Sequence, residues 1–464
     1  MSLLSRILLF GLIATLAMGT ACTTQPNNSN TPVVTQTATT PSPTPSATPS
    51  SSTQQSVKIT LPLLDALLAE KGFVGQLKEK AKVSDAQIES LKRASESELN
   101  RLREANYEET DGDATDAPTR AAEQLRSILG DEKATQVAAI ANEYWAKGDP
   151  AAEGARSNGV EMLPGPNAVP TDTRVVVNIP AYRMDLFQNG SLVKSYKVGI
   201  GYPEFPLPMG LRKAQTVIFN PSWTPPDSPW VAKMKNATPG ETIEAGSKDN
   251  PLGIIKIPIG LPSLIHGGKS PARIGKFASH GCVGMTNAQV KDFAMQLMQA
   301  ADKQVSDQEI NGYLEDKTET KTVKLDKVVP VELRYETIVL EDGKLHIYKD
   351  VYAQDTNTEE NLRRVLEAHG ARLEDLSEDQ RRQALDALNA MSSSPKATSS
   401  SSPGASPDSS PSASPEKKTA RAAKKAPQNE VVIDVTALAG KGYPVAVNLD
   451  DGKGKPQARK KKSA

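Results

Sequence analysis

Apolar residues recur at helical spacing between residues 57 and 150. The first series predicts a helix near the start of this segment and consists of Leu61, Leu64, Leu67 and Leu68. Ser84 and Gln87 have the spacing of a capping box, which predicts the start of a second helix. A third apolar series, from Ala121 to Trp145, predicts a further helical stretch. We therefore expect residues 57–150 to form a helical domain, whose role the pattern does not indicate.

Between residues 172 and 352 the pattern changes to an alternation of apolar and polar positions. Two dipeptides in this segment, Asn189-Gly190 and Asp342-Gly343, are typical of the two-residue turns that close β-hairpins. The stretch from Asn287 to Ala300 has helical spacing instead. These features predict a mostly β domain over 172–352 that contains one or two helices.

Helical spacing returns over residues 353–391, where Ser377 and Gln380 form another capping-box pair. Residues 429–464 are predicted to contain a small strand unit, in which 431–435 pairs with 444–449. So few residues cannot support a core of their own. A basic tail closes the sequence.

Two segments rich in Ser, Thr and Pro, residues 23–56 and 392–428, cannot bury enough apolar surface to fold and are predicted to be disordered linkers. Residues 1–22 combine a charged start, a short apolar run and small residues before Cys22, which is typical of a signal peptide and too short for a membrane span. The leader resembles a bacterial lipoprotein signal, in which Cys22 is lipidated. The alternative is cleavage after Ala21, which leaves a free thiol. Lipidation predicts an exported protein in the periplasm or cell envelope, anchored to the outer membrane.

Charge and cysteine content exclude several classes of protein. Lys and Arg total 55 and Asp and Glu total 55, so the net charge is zero, which argues against a nucleic-acid partner. With two cysteines the sequence has neither a disulfide framework nor a Cys-rich zinc site. The basic tail is expected to be solvated, and attraction to an anionic wall polymer or membrane surface is the alternative.

The candidate chemistry lies around the second cysteine. Of four histidines in the chain, His266 and His280 lie within sixteen residues of Cys282. An imidazole near a thiol can take its proton and return it to a leaving group, which is the chemistry of acyl transfer. Glycines beside these residues leave backbone N–H groups accessible to an oxyanion. The alternatives are a buried structural cysteine and a zinc site, but no Asp or Glu lies between Pro251 and Gln289 to support a metal-bound water.

This segment resembles the YkuD-type L,D-transpeptidases. The matching motifs are Ile265-His266-Gly267, Ser270-Pro271 with Ile274-Gly275, and Ser279-His280-Gly281-Cys282-Val283. Two further stretches are similar to exported members of the family, Val177 to Leu186 and Asn220 to Pro226 with Trp230. The resemblance covers about 172–352 and implies a β-sandwich catalytic domain.

The resemblance implies a role for each matching residue. Cys282 is the nucleophile, His266 is its base, and the Gly267 carbonyl orients the imidazole. Ser279 and His280 line the site, and the amides around Gly281 to Val283 form the oxyanion hole. Trp223 and Trp230 are candidates for the walls of the peptide groove, with ordinary core packing as the alternative. Gly284 departs from the family, which usually has Arg there, and Gly284→Arg is therefore expected to speed acylation.

The implied reaction is cleavage of a peptidoglycan tetrapeptide stem before its terminal D-Ala, through a thioester that an amine then resolves. No cofactor and no metal are expected. Two alternatives stay open: a hydrolase of the same fold, in which water resolves the thioester, and a wall-binding lipoprotein whose catalytic site has decayed. The acceptor amine is not indicated.

Overall fold

We analysed the protein as a computed structural model, which describes residues 59–104, 116–147, 161–226, 231, 234, 236–260, 263–392 and 429–454, apart from single residues within them. Several predictions lie outside these residues: the leader with Cys22, the 23–56 linker, Trp230, almost all of the 392–428 linker, and the tail beyond 454.

Five helices occupy the described part of 57–150. They are α1 (Leu61–Leu68), α2 (Lys71–Lys80), α3 (Asp85–Glu104), α4 (Asp116–Leu129) and α5 (Asp131–Lys147). Ser84 and Gln87 cap α3 reciprocally at 3.1 and 3.2 Å. The stretch predicted over 121–145 is two helices, because Gly130 between them has φ +78°, which helical residues do not adopt. The apolar positions of all five helices share one buried cluster.

An eight-stranded sheet dominates residues 172–334. The strands of this region are β1 (Arg174–Asn178), β2 (Arg183–Gln188), β3 (Ser191–Lys197), β4 (Ile200–Gly201), β5 (Gly210–Phe219), β6 (Ile255–Pro258), β7 (Leu264–His266), β8 (Phe277–Ser279), β9 (Val283–Gly284) and β10 (Lys321–Arg334). The order in the sheet is β3-β2-β1-β10-β5-β6-β7-β9. Strands β4 and β8 pair separately. Asn189 and Gly190 both have positive φ, as their hairpin turn requires.

Two helices pack with this sheet, α6 (Asn287–Ala300) and α7 (Asp307–Glu315). Helix α6 has the predicted bounds, because Thr286 and Gln289 form a capping box at its start. Its buried residues Val290, Phe293 and Leu297 join the apolar cluster of the sheet. The mostly β fold with one or two helices is therefore confirmed.

The C-terminal elements form a second small sheet with its own core. Its elements are β11 (Ile338–Glu341), β12 (Lys344–Tyr348), α8 (Glu359–Ala368), α9 (Glu378–Met391) and β13 (Glu430–Asp434). Strand β13 pairs with β12, so the predicted pairing of 431–435 with 444–449 is wrong. The chain near 447–450 instead bonds to β3: Ser195 N–H donates to Val447 O at 2.9 Å and Lys197 N–H to Asp450 O at 2.8 Å.

Within the described residues, each helix is too short or too polar to cross a bilayer.

Candidate functional site

Two adjacent strands position the candidate catalytic pair. Strands β7 and β9 run parallel, with Ile265 opposite Val283 and His266 opposite Gly284. Because neighbouring strands lie about 4.8 Å apart, Cys282, which immediately precedes β9, lies diagonally across from His266. One parallel pairing thus brings residues sixteen apart in sequence to neighbouring strands.

The His266 ring is oriented by the backbone of the next residue. His266 is 3% exposed, and its Nδ1 lies 2.8 Å from the Gly267 carbonyl oxygen. A carbonyl can only accept, so Nδ1 carries the proton and Nε2 keeps a lone pair. Burial, together with the positive charge of Lys269, lowers the pKa of His266 to about 3. The imidazole is therefore neutral near pH 7 and can act as a base.

The Cys282 thiol is half-buried. Burial raises its pKa above the ordinary thiol range, while the Leu264 backbone amide and the Lys269 charge oppose that rise. Since the imidazole pKa is low and the thiol pKa is high, the resting pair is a neutral thiol and a neutral imidazole. Proton transfer to His266 must then accompany attack on the substrate.

The segment from Ser279 to Val283, which we call the cysteine loop, is fixed by serine hydroxyls. Ser279 Oγ accepts from the Cys282 N–H at 3.1 Å and donates to the Cys282 carbonyl at 2.5 Å. Ser263 Oγ donates to the Gly281 carbonyl at 2.8 Å. Of the amides expected to form an oxyanion hole, the Cys282 N–H is thus already engaged.

His280 packs among aromatic rings. Its ring centroid lies 4.5 Å from that of Phe205 and 5.5 Å from that of Tyr202. Burial first, then Lys269, lowers the pKa of His280 to about 3. This neutral ring therefore supports the cysteine loop through packing.

The two tryptophans predicted to wall the peptide groove stay predictions. Trp223 is half-buried, and its N–H and carbonyl exchange hydrogen bonds of 2.9 and 2.8 Å with Ile243. That bridge fixes the backbone between β5 and β6. Trp230 lies outside the described residues.

The structure also brings the N-terminal helices to the site. A Cβ placed on Gly281 would lie 3.9 Å from Cη2 and Cζ2 of Trp145, in α5. Nearby, Thr60 Oγ1 donates to the Glu204 carbonyl at 2.7 Å, and Arg120 Nη2 donates to Glu204 Oε1 at 3.0 Å. Phe205, which contacts His280, directly follows Glu204. The sequence offered no signal for these contacts, because they join residues more than 80 positions apart.

The space that a side chain at position 284 would need is already occupied. A Cβ there would lie 2.8 Å from Cγ, 3.1 Å from Cε and 3.4 Å from Cδ of Lys269. Contacts this short force a neighbour to move, so an arginine at 284 would displace the lysine. Gly284→Arg was expected to speed acylation because it supplies the arginine that is usual in the family. The collision with Lys269 argues against that expectation for the single substitution.

The described residues contain no cluster of three or more His, Cys, Asp or Glu side chains that could hold a metal.

Comparisons with known proteins identify the domain. Residues 172–323 match the family model described as the YkuD L,D-transpeptidase catalytic domain. The protein described as probable L,D-transpeptidase YbiS of Escherichia coli K12 is 26% identical over 157 residues, covering 29% of this chain and 51% of the relative. YbiS of Escherichia coli O6:H1 gives the same values. The chain thus spans about half the length of the curated relatives it matches.

Solved structures of low similarity are also found. The catalytic domain of the E. faecium L,D-transpeptidase is 16% identical, with a TM-score of 0.23, over 36% of this chain and 100% of that one. An L,D-transpeptidase from Mycobacterium smegmatis is 13% identical, with a TM-score of 0.22, over 35% of this chain and 58% of that one. By the family model and the curated relatives, residues 172–323 are similar to the YkuD family of L,D-transpeptidase catalytic domains.

Proposed function

We propose that the protein is a peptidoglycan L,D-transpeptidase that acts through a thioester on Cys282. The observation that carries this proposal is the neutral, backbone-oriented His266 on the strand beside Cys282, with Nδ1 donating to the Gly267 carbonyl at 2.8 Å. The family-model match of residues 172–323 and the names of the curated relatives support the substrate class.

The reaction begins on the donor stem. As the Cys282 sulfur attacks the carbonyl carbon before the terminal D-Ala, His266 Nε2 takes the thiol proton. The imidazolium that forms is costly in a buried site, because the pKa of His266 is lowered to about 3. It therefore returns the proton to the departing D-Ala nitrogen, the C–N bond breaks, and the thioester remains.

The second half of the reaction reverses these roles. An amine of a second stem attacks the thioester carbonyl, His266 takes a proton from that amine, and the Cys282 thiol is released. A hydrolase would use water at this step. Whether an amine or water resolves the thioester depends on how the site receives the second substrate, so the experiment must include an amine acceptor.

Purified protein incubated with a tetrapeptide stem is expected to gain the mass of the stem minus one D-alanine, located on Cys282 by peptide mapping. Cys282→Ala should abolish the adduct, because the bond is made to its sulfur. An added amine should consume the adduct faster than water does, and consumption at the rate of water would indicate a hydrolase. Folded protein with a reduced thiol that forms no adduct with any stem would overturn the proposal.

We also propose that Cys22 anchors the protein to a membrane, which places the catalytic domain outside the cytoplasmic membrane near its wall substrate. The support is the leader pattern of a charged start, an apolar run and small residues before Cys22.

Cys22→Ser is expected to move the protein from the membrane fraction to the soluble fraction of lysed cells, because the acylated residue is lost. The matched control is Cys282→Ser, which should leave the fractionation unchanged. A Cys22→Ser protein that stays in the membrane fraction would contradict the anchor.

A further inference from the structure

We propose that Lys269 is the cation of this active site, which stabilises the Cys282 thiolate and binds the terminal carboxylate of the donor stem. The thiolate part concerns this chain alone, and the carboxylate part rests on the proposed function.

The backbone of Lys269 is tied to the strand that follows Cys282. Its N–H donates to the Met285 carbonyl at 3.0 Å, directly after β9. The preceding Gly268 N–H donates to Asn287 Oδ1 at 2.9 Å, at the start of α6. The turn after His266 is therefore held from two sides, and Lys269 leaves it from a fixed position.

The side chain of Lys269 runs over Gly284. Its Cγ, Cδ and Cε lie 2.8–3.4 Å from the place where a Cβ at 284 would be. Gly284 is itself opposite His266 in the β7–β9 pairing and two residues after Cys282. The half-buried stem of Lys269 therefore crosses the strand that follows the nucleophile, and the missing side chain at 284 is what allows it to do so.

The positive charge of Lys269 acts on the two imidazole rings and on the thiol of the site. It lowers the pKa of Cys282, His266 and His280. No carboxylate is among the groups that shift these three pKa values. The site thus has a net positive field, which favours a thiolate and a bound anion and disfavours an imidazolium.

The donor stem supplies an anion at the right place. Its terminal D-Ala carboxylate is separated from the scissile carbonyl only by the amide nitrogen and one carbon. When Cys282 attacks that carbonyl, the carboxylate lies within a few ångströms of the sulfur. The side chain of Lys269 crosses Gly284 and its charge acts on Cys282, so it would favour stems with a free terminal carboxylate over neutral ones.

The thiolate part is tested with iodoacetamide, which alkylates thiolates and needs no stem peptide. The rate on Cys282, followed by peptide mapping of the full chain against pH, is expected to shift to higher pH in Lys269→Met. A cation near a titrating group moves its pKa by about one unit or more, so alkylation below the thiol pKa should slow about tenfold. Lys276→Met, an exposed lysine of the same segment, is the matched control and should not shift the profile. An unchanged profile in Lys269→Met would overturn the assignment.

Moving the positive charge from position 269 to position 284 distinguishes an effect of charge from an effect of altered packing. Gly284→Arg alone should slow alkylation and acylation, since its Cβ collides with Lys269. Combined with Lys269→Ala it restores a cation at the same place, and we expect the wild-type alkylation profile to return. Failure of the double variant to recover, in protein that unfolds at the wild-type temperature, would count against a role of charge.

The carboxylate part is tested by comparing a tetrapeptide stem with its C-terminal amide. Wild-type protein should acylate faster with the free acid, and Lys269→Met should lose that preference. Equal preference in both proteins would overturn the carboxylate part. If no stem acylates Cys282 while the alkylation profile still shifts, the proposed function fails and the thiolate assignment stands.

Discussion

His266→Ala is expected to slow acylation of Cys282 by about 10²–10⁴-fold, the usual cost of losing a general acid and base. The reason is the resting state of the site: burial raises the pKa of the Cys282 thiol, so little thiolate exists near pH 7 without a base. The pH dependence should also change. His266 has a pKa of about 3, so the wild-type base stays neutral as pH falls from 8 to 5 and the rate should change little. In His266→Ala the rate should follow the thiolate fraction and rise about tenfold per pH unit up to the raised thiol pKa.

The measurement is the rate of adduct formation by mass spectrometry across that pH range. His346→Ala is the matched control, because His346 lies in β12 of the other sheet and pairs with Glu430 at 2.5 Å. It should leave both the rate and the profile unchanged. Parallel pH profiles for wild type and His266→Ala would show that His266 is not the base.

Short-range interactions explain why parts of this fold were predictable. The capping boxes at Ser84 and Ser377 and the Asn189-Gly190 turn each join residues at most three positions apart, so the sequence pattern contains the whole interaction. The cysteine motif is equally local. Its residues carry their own orienting groups, such as the Gly267 carbonyl next to His266.

Long-range pairing explains what the pattern could not predict. The alternation in 431–435 predicts a strand but not its partner, which is β12, more than 80 residues earlier. Lys269 lies three residues after His266, yet its position over Gly284 exists only because β7 and β9 run parallel in this register. The contact between α5 and the cysteine loop depends on the packing of two separate cores. Apolar spacing places Trp145 in a core and gives no information on which loop its outer edge touches.

Because α5 contacts the cysteine loop, we expect a second large effect on stability and reactivity from Trp145→Ala. Trp145 is 4% exposed in the core of the N-terminal helices, so its removal should lower the free energy of unfolding by about 3–5 kcal/mol. Its ring carbons also lie 3.9 Å from the position of a Cβ on Gly281, next to Cys282. The cavity therefore opens beside the cysteine loop, and the loop loses a packing partner. We expect slower acylation by stem peptides and faster alkylation of Cys282 by iodoacetamide, measured where the variant is fully folded.

The matched control is Leu125→Ala, which removes another buried side chain of the same cluster at a cost of about 2–5 kcal/mol. It should lower the unfolding free energy, measured by urea titration, without changing either reaction of Cys282. Trp145→Phe should recover most of both reactions, because a phenyl ring fills much of the same space. Only a local contact with the cysteine loop can make the two substitutions differ. If Leu125→Ala and Trp145→Ala alter Cys282 reactivity equally at an equal loss of stability, the change in reactivity comes from global unfolding of the domain. In that case the helices stabilise the chain without holding the cysteine loop.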